Sequence, residues 1–201
     1  MVKKIQALKA KKGFTLVELI VVIAIIGVLA AILVPTMMGM VTKSRVTSAD
    51  TTASTLKDTI GTWMVDLDSN GGTVPTSATI KISGSSGKWT ISGIDGFKTN
   101  KGGAAGAAEK LENTLNDDYE FNKTISAVIY VDNRKAAACV YSDAGVAVDD
   151  LEKTYTLANL RAGYNKWNEK TDGVDADGNI IGTYPKCTMD ATPPAAGGGG
   201  E

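Results

Sequence analysis

The side chains able to do chemistry are few, and the first fact about them is an absence: none of the 201 residues is a histidine. That removes Ser-His-Asp and Cys-His nucleophilic catalysis, histidine-bearing zinc sites and imidazole acid–base work near neutral pH. What is left is two cysteines, Cys139 and Cys187, an oxygen-rich stretch running from Asp172 through Asp175 and Asp177 to Asn179, and one carboxylate, Glu18, set in apolar sequence. Two cysteines fit one bridge in an oxidising compartment, and they also fit a pair of buried thiols. The aspartate stretch has the spacing of a calcium loop only in part. If Asp175, Asp177 and Gly178 take the third, fifth and sixth positions, Gly173 falls where the first acid is needed, and no terminal Glu follows. A solvated Asp-Gly turn is the favoured reading and calcium the alternative. No Gly-x-x-x-x-Gly-Lys-Ser/Thr stretch exists to cradle phosphate. Residues 43–201 hold 16 cations against 21 acids without a basic run, so no nucleic-acid partner is expected. No catalytic residue, resident metal or cofactor is expected either.

Glu18 needs the elements around it to be intelligible. Residues 1–13 carry five lysines and no acid, so the chain divides into a leader of +5 and a remainder of −6. From Leu19 to Thr42 there are 24 residues without a charge, and about 20 helical residues at 1.5 Å each suffice to cross a hydrocarbon core of about 30 Å. Lysines before the span and mixed charge after it place the C-terminal part outside the cytoplasm. A cleaved secretory signal would have a shorter apolar core followed by small residues. Here the apolar run continues through Val34-Pro35 into methionine-rich sequence. A carboxylate at the start of such a helix costs several kcal/mol if unpaired, so Glu18 requires a partner.

The stretch KKGFTLVELIVVIAIIGVLAAILVP, residues 11–35, closely resembles the N-terminus of type IV prepilins and of the related type II secretion and competence pseudopilins. The resemblance covers about residues 1–68. It implies that a prepilin peptidase cuts between Gly13 and Phe14 and that the new Phe14 amine is N-methylated. It also implies that Glu18 neutralises the amine of a neighbouring subunit during assembly, since two opposite charges buried together cost far less than either alone. Gly27 and Pro35 stand at family-like places. Pro35 removes a donor and crowds the carbonyl of Ala31, so the helix between Gly27 and Pro35 is expected to loosen in a filament. The partners implied are further copies in a helical filament, the peptidase, an inner-membrane assembly platform and, before assembly, membrane lipid. The location implied is a single-pass plasma-membrane precursor with its head outside, then an extracellular filament. Many pilins close a C-terminal region with a disulfide, which favours a Cys139–Cys187 pair, and major pseudopilins bind calcium in a C-terminal loop, which keeps Asp172, Asp175 and Asp177 of interest.

The expected fold is α+β and type IV pilin-like: a long N-terminal helix, half transmembrane and half amphipathic, packed on an antiparallel β-sheet head. The boundaries are a leader at 1–13, an assembly helix at 14–42, an amphipathic helix at 43–68, a head at 69–191 and a low-complexity tail at 192–201. Apolar residues at Val46, Ala49, Ala53, Leu56, Ile60, Trp63 and Leu67 alternate by three and four, which marks one helix face. Packing on the chain's own sheet is the favoured reading and a two-stranded coiled-coil seam the alternative, though such a seam would normally carry larger residues than Ala49 and Ala53. Ser69-Asn70-Gly71-Gly72 ends that helix. Strands are expected at Ala78–Ile82, Lys88–Ile91, Ser126–Val131 and Ala136–Tyr141, the last two forming a hairpin across Asp132-Asn133-Arg134-Lys135. Helices are expected at Ala104–Leu115 and, as a weaker pattern, Leu151–Lys170. Trp89, Trp167 and the tyrosines are read as core rather than as a sugar-binding face.

Overall fold

The computed structural model describes residues 14–85, 88–119, 124–163 and 172–188. The leader with Gly13, the later part of the Leu151–Lys170 stretch and the tail lie outside these residues. The chain divides into two compact units after Lys43. One helix, α1 (Leu16–Ser69), contains Pro35, and the isolated chain is helical from Gly27 through Pro35. Proline cannot donate to the carbonyl four residues back. Just beyond it, Thr36 Oγ1 donates to Leu33 O at 2.8 Å.

In the second unit all seven stripe residues of α1 are buried, with Met64 beside them. Threonines occupy much of the rest of this part. Thr51, Thr52, Thr55 and Thr62 each donate a hydroxyl to the carbonyl four residues earlier, which lets them sit in a helix without an unmet donor.

The stripe lies on a five-stranded antiparallel sheet of order β2-β1-β3-β4-β5, made of β1 (Ser77–Ser85), β2 (Lys88–Ser92), β3 (Ile125–Asp132), β4 (Lys135–Ser142) and β5 (Ile181–Tyr184). On the α1 side, Ile80, Ile82, Ala127, Ile129, Val131 and Cys139 pack with Leu56, Ile60, Trp63 and Leu67. The 16-residue helix α2 (Gly103–Asp118) adds Ala107, Leu111 and Leu115 to this layer. The opposite face of β3 and β4 carries Val128, Tyr130, Ala138 and Val140, covered by Leu151 from α3 (Val148–Thr154), Tyr155 and Leu160 from α4 (Leu157–Ala162). A central strand covered on both faces reads as a continuous apolar run, and β3 is buried from Ile125 to Val131.

The hairpin is present. Its two loop residues, Asn133 and Arg134, have φ of 50° and 61°, the left-handed pair that a two-residue turn needs to match strand twist. Arg134 is an uncommon choice there. It is held by an ion pair to Asp68 and by its N–H donating to Thr76 O at 3.2 Å, which moor the hairpin tip to the end of α1.

Two expectations are corrected. The stretch from Leu151 is not one helix: Thr156 caps a second one, its hydroxyl accepting from Asn159 N–H, and Gly163 ends it at φ 69°. β5 was not expected at all. It is four residues long, and Gly182 sits where a Cβ would come within 2.1 Å of the Ala49 carbonyl. Only a strand without a side chain at that point can lie this close to α1.

Candidate functional site

The segment able to act on other molecules is the start of α1. Thr15 and Glu18 form a reciprocal cap. The Thr15 N–H and Thr15 Oγ1 both donate to Glu18 Oε2 at 2.8 Å, and the Glu18 N–H donates to Thr15 Oγ1 at 3.2 Å. The sequence Thr-Leu-Val-Glu before an apolar run carries this signal, and the sequence reading passed over it in favour of a pairing with the Phe14 amine. The cap engages Oε2 and holds the carboxylate at the first turn, close in sequence to the bond between Gly13 and Phe14. Phe14 is exposed, and Gly13 lies outside the described residues.

Beyond the cap, every large apolar side chain from Leu19 to Val41 is exposed, and the most apolar 18-residue window of α1 has mean hydropathy 3.1. Soluble surfaces rarely display contiguous apolar area on this scale, which marks a membrane or protein contact. By length and composition the helix is able to cross a membrane. No Cβ added at Gly27 would meet a neighbour, so within the isolated chain packing does not demand glycine there.

The N-terminus of the chain is similar to the prokaryotic N-terminal methylation motif. The family signature of that description matches residues 8–34. A "Fimbrial protein" of Moraxella nonliquefaciens is 49% identical over 55 residues, 27% of this chain and 36% of that one. One of Pseudomonas aeruginosa is 50% identical over 50 residues, 25% of this chain and 32% of the other. A "Type IV major fimbrial protein FimA" of Dichelobacter nodosus is 34% identical over 86 residues, 43% of this chain and 54% of its relative. The chain thus spans between about a third and just over half the length of these curated relatives. No solved structure matches it. With the long apolar helix and the five-stranded sheet, it is type IV pilin-like, and its apolar N-terminal helix is consistent with a membrane-anchored precursor.

The other candidate residues are placed as follows. Cys139 and Cys187, the pair considered for a bridge, are free and buried in the structure. Cys139 belongs to the α1 side of the sheet and Cys187 to the α3–α4 side, so the sheet separates them. Cys139 Sγ contacts Val140 O and Cys187 Sγ contacts Pro185 O. Burial pushes both thiols up from the ordinary cysteine value, which makes them inert.

Asp175 is 3% exposed and acts as the linchpin of its own turn. Its Oδ1 accepts from the N–H of Asp177 at 3.0 Å and of Asn179 at 2.7 Å, and its Oδ2 accepts from Asn179 Nδ2 at 2.7 Å. Among the described residues no group of three or more acids and thiols is placed to hold a metal. Trp89 is buried with its Nε1 donating to Asn116 Oδ1 at 3.0 Å, a core role, while Trp167 lies outside the described residues.

Sequence reasoning missed Asp50. Its Oδ1 accepts from the N–H of Thr183 in β5 at 2.9 Å, and its Oδ2 lies 3.7 Å from Lys186 Nζ. Burial, the largest influence, raises the Asp50 carboxyl above its ordinary value although Thr183 and Lys186 pull it down. With Val46 beside Gly173 and Ala49 beside Gly182, Asp50 clamps residues 172–188 onto the helix.

Proposed function

We propose that the chain is the structural subunit of a type IV pilus, made as a membrane precursor, cut between Gly13 and Phe14, N-methylated at Phe14 and polymerised into a helical filament. Its role is mechanical rather than catalytic. The observation that carries this reading is an uncharged stretch of helix whose large apolar side chains from Leu19 to Val41 are all exposed, preceded by a carboxylate held at the first turn by Thr15. Such a surface suits lipid first and other helices afterwards. In the filament the Phe14 amine of one copy meets Glu18 of another, and the helix loosens between Gly27 and Pro35, where lipid no longer penalises open backbone groups. The peptidase, an inner-membrane assembly platform and lipid are the further partners.

A pseudopilin of a secretion or competence system shares every N-terminal feature. The pilus reading is preferred because the relatives reported above are fimbrial proteins and because the oxygens of Asp175 already accept from its own loop. The test is the mass of the mature N-terminus in sheared surface filaments. A chain beginning at methylated Phe14 is expected, and Glu18→Gln is expected to be cut normally yet to yield fewer filaments. Subunits that keep the leader, or wild-type filament yield from Glu18→Gln, would overturn the assignment.

A further inference from the structure

Beyond Val41, one large apolar side chain is exposed among the described residues: Val65, at 69%. It lies in a groove of about 440 Å³ with Lys57, Gly61, Arg134, Lys135 and Ala136. Lys57, Gly61 and Val65 follow one another at intervals of four, so they line one side of α1. Three cations, from α1 and the hairpin tip, and one acid, Asp58, line this groove. Lys57 pairs with Asp58 at 2.7 Å and Arg134 with Asp68, so Lys135 carries its excess positive charge.

On an adjoining side of the same helix the charge reverses. Asp66, about 100° round from Val65, forms an ion pair with Lys110 of α2, which sets α2 at the same height. Among the described residues of α2, Ala105, Glu109, Glu112, Asn113, Asn116 and Asp117 are exposed; from Glu109 onward they form a single face at spacings of three and four with three carboxylates and no cation. Both patches belong to the same unit.

Resting on the filament reading, we propose that the groove around Val65 receives the acidic face of α2 from a second copy of this chain. Opposite potentials bring the faces together and set their register, while Val65 supplies the dry centre that a rim of charges alone lacks. Because the two patches are different and lie on the same copy, the contact is heterologous. A head-to-tail contact that does not close on itself generates an open helical array, which is the assembly a filament requires.

The test uses the full chain in filament-producing cells. Lys135→Glu and Glu112→Lys, each alone, are expected to lower the yield of sheared filaments at least about fivefold at unchanged subunit level, and the double variant to recover to within about twofold of wild type. Val65→Cys and Asn113→Cys, carried on different co-expressed copies, are expected to give a 65–113 disulfide in filaments on oxidation, with no 65–65 or 113–113 product. The native thiols are buried and do not compete. Filaments at wild-type yield from all variants without the 65–113 product would overturn the contact while leaving the filament reading standing. A 65–65 product would replace it with an isologous contact and also overturn it. Failure of the wild-type chain to form filaments at all would overturn the filament reading and, with it, the occupant named here.

Discussion

Asp50 shows how one carboxylate is asked to do two opposed things. It must lose water to reach β5, and it must stay an acceptor for Thr183, which is itself buried. Its raised carboxyl pKa means that the folded chain binds this proton more readily than the unfolded one. The associated stabilisation is fully present below the unfolded value and is lost as pH rises through the folded one. Asp50→Asn keeps an acceptor without the buried charge, and is expected to match or exceed wild-type stability at pH 7, with the gap closing on acidification. Asp50→Ala leaves the Thr183 N–H unmet and is expected to cost about 1–3 kcal/mol. Thermal melts of the three proteins across pH decide this. For the cysteines, thiol titration of surface-derived protein is expected to find none reactive when folded and two after denaturation, with reductant leaving the melting temperature unchanged. A native assay showing no thiols even in denaturant would restore the bridge.

Elements were legible where their signal was local. The stripe from Val46 to Leu67 needed only the 3.6-residue period, and all seven of its members are buried. The β3–β4 hairpin needed only two short apolar runs and a polar turn. The break at Tyr155–Thr156 was harder, since the apolar spacing from Leu151 to Leu160 suits one helix and two alike. The Thr156 cap with Gly163 after it was the available sign. β5 could not be read from Ile181-Gly182-Thr183-Tyr184, because what makes it a strand is non-local: pairing with Cys139–Ser142 and close seating on Ala49. At the candidate site, the motif around Glu18 was plain in the sequence. Asp50 was not, since its partner lies 133 residues away. Two glycine substitutions separate shape from backbone strain. Gly178 has φ +85° with open space around it, so Gly178→Ala is expected to cost about 1–2 kcal/mol. Gly182→Ala must push β5 off α1 and is expected to cost more, together with faster hydrogen exchange across β5. Equal losses from the two would remove the seating argument.

At the level of the whole chain, the two units carry apolar surface for different purposes. In the unit beginning at Ser44, apolar side chains make the core, and Ile60→Ala is expected to cost about 2–5 kcal/mol through the space it leaves. Leu29 is exposed, so Leu29→Ala is expected to leave the melting temperature of detergent-solubilised protein unchanged while lowering filament yield. A matching loss of stability from Leu29→Ala would show that the first unit is part of the folded core.

The Asp50 clamp reaches beyond stability. β5 is an outer strand, and an outer strand with free N–H groups is a template on which another chain can add its own strand without limit. By occupying the Thr183 N–H, Asp50 blunts that side of the sheet. On the filament reading proposed above, a chain that polymerises through chosen faces has to be prevented from polymerising through its backbone, and Asp50→Ala is therefore expected to favour amorphous or amyloid-like clumping at the expense of ordered assembly.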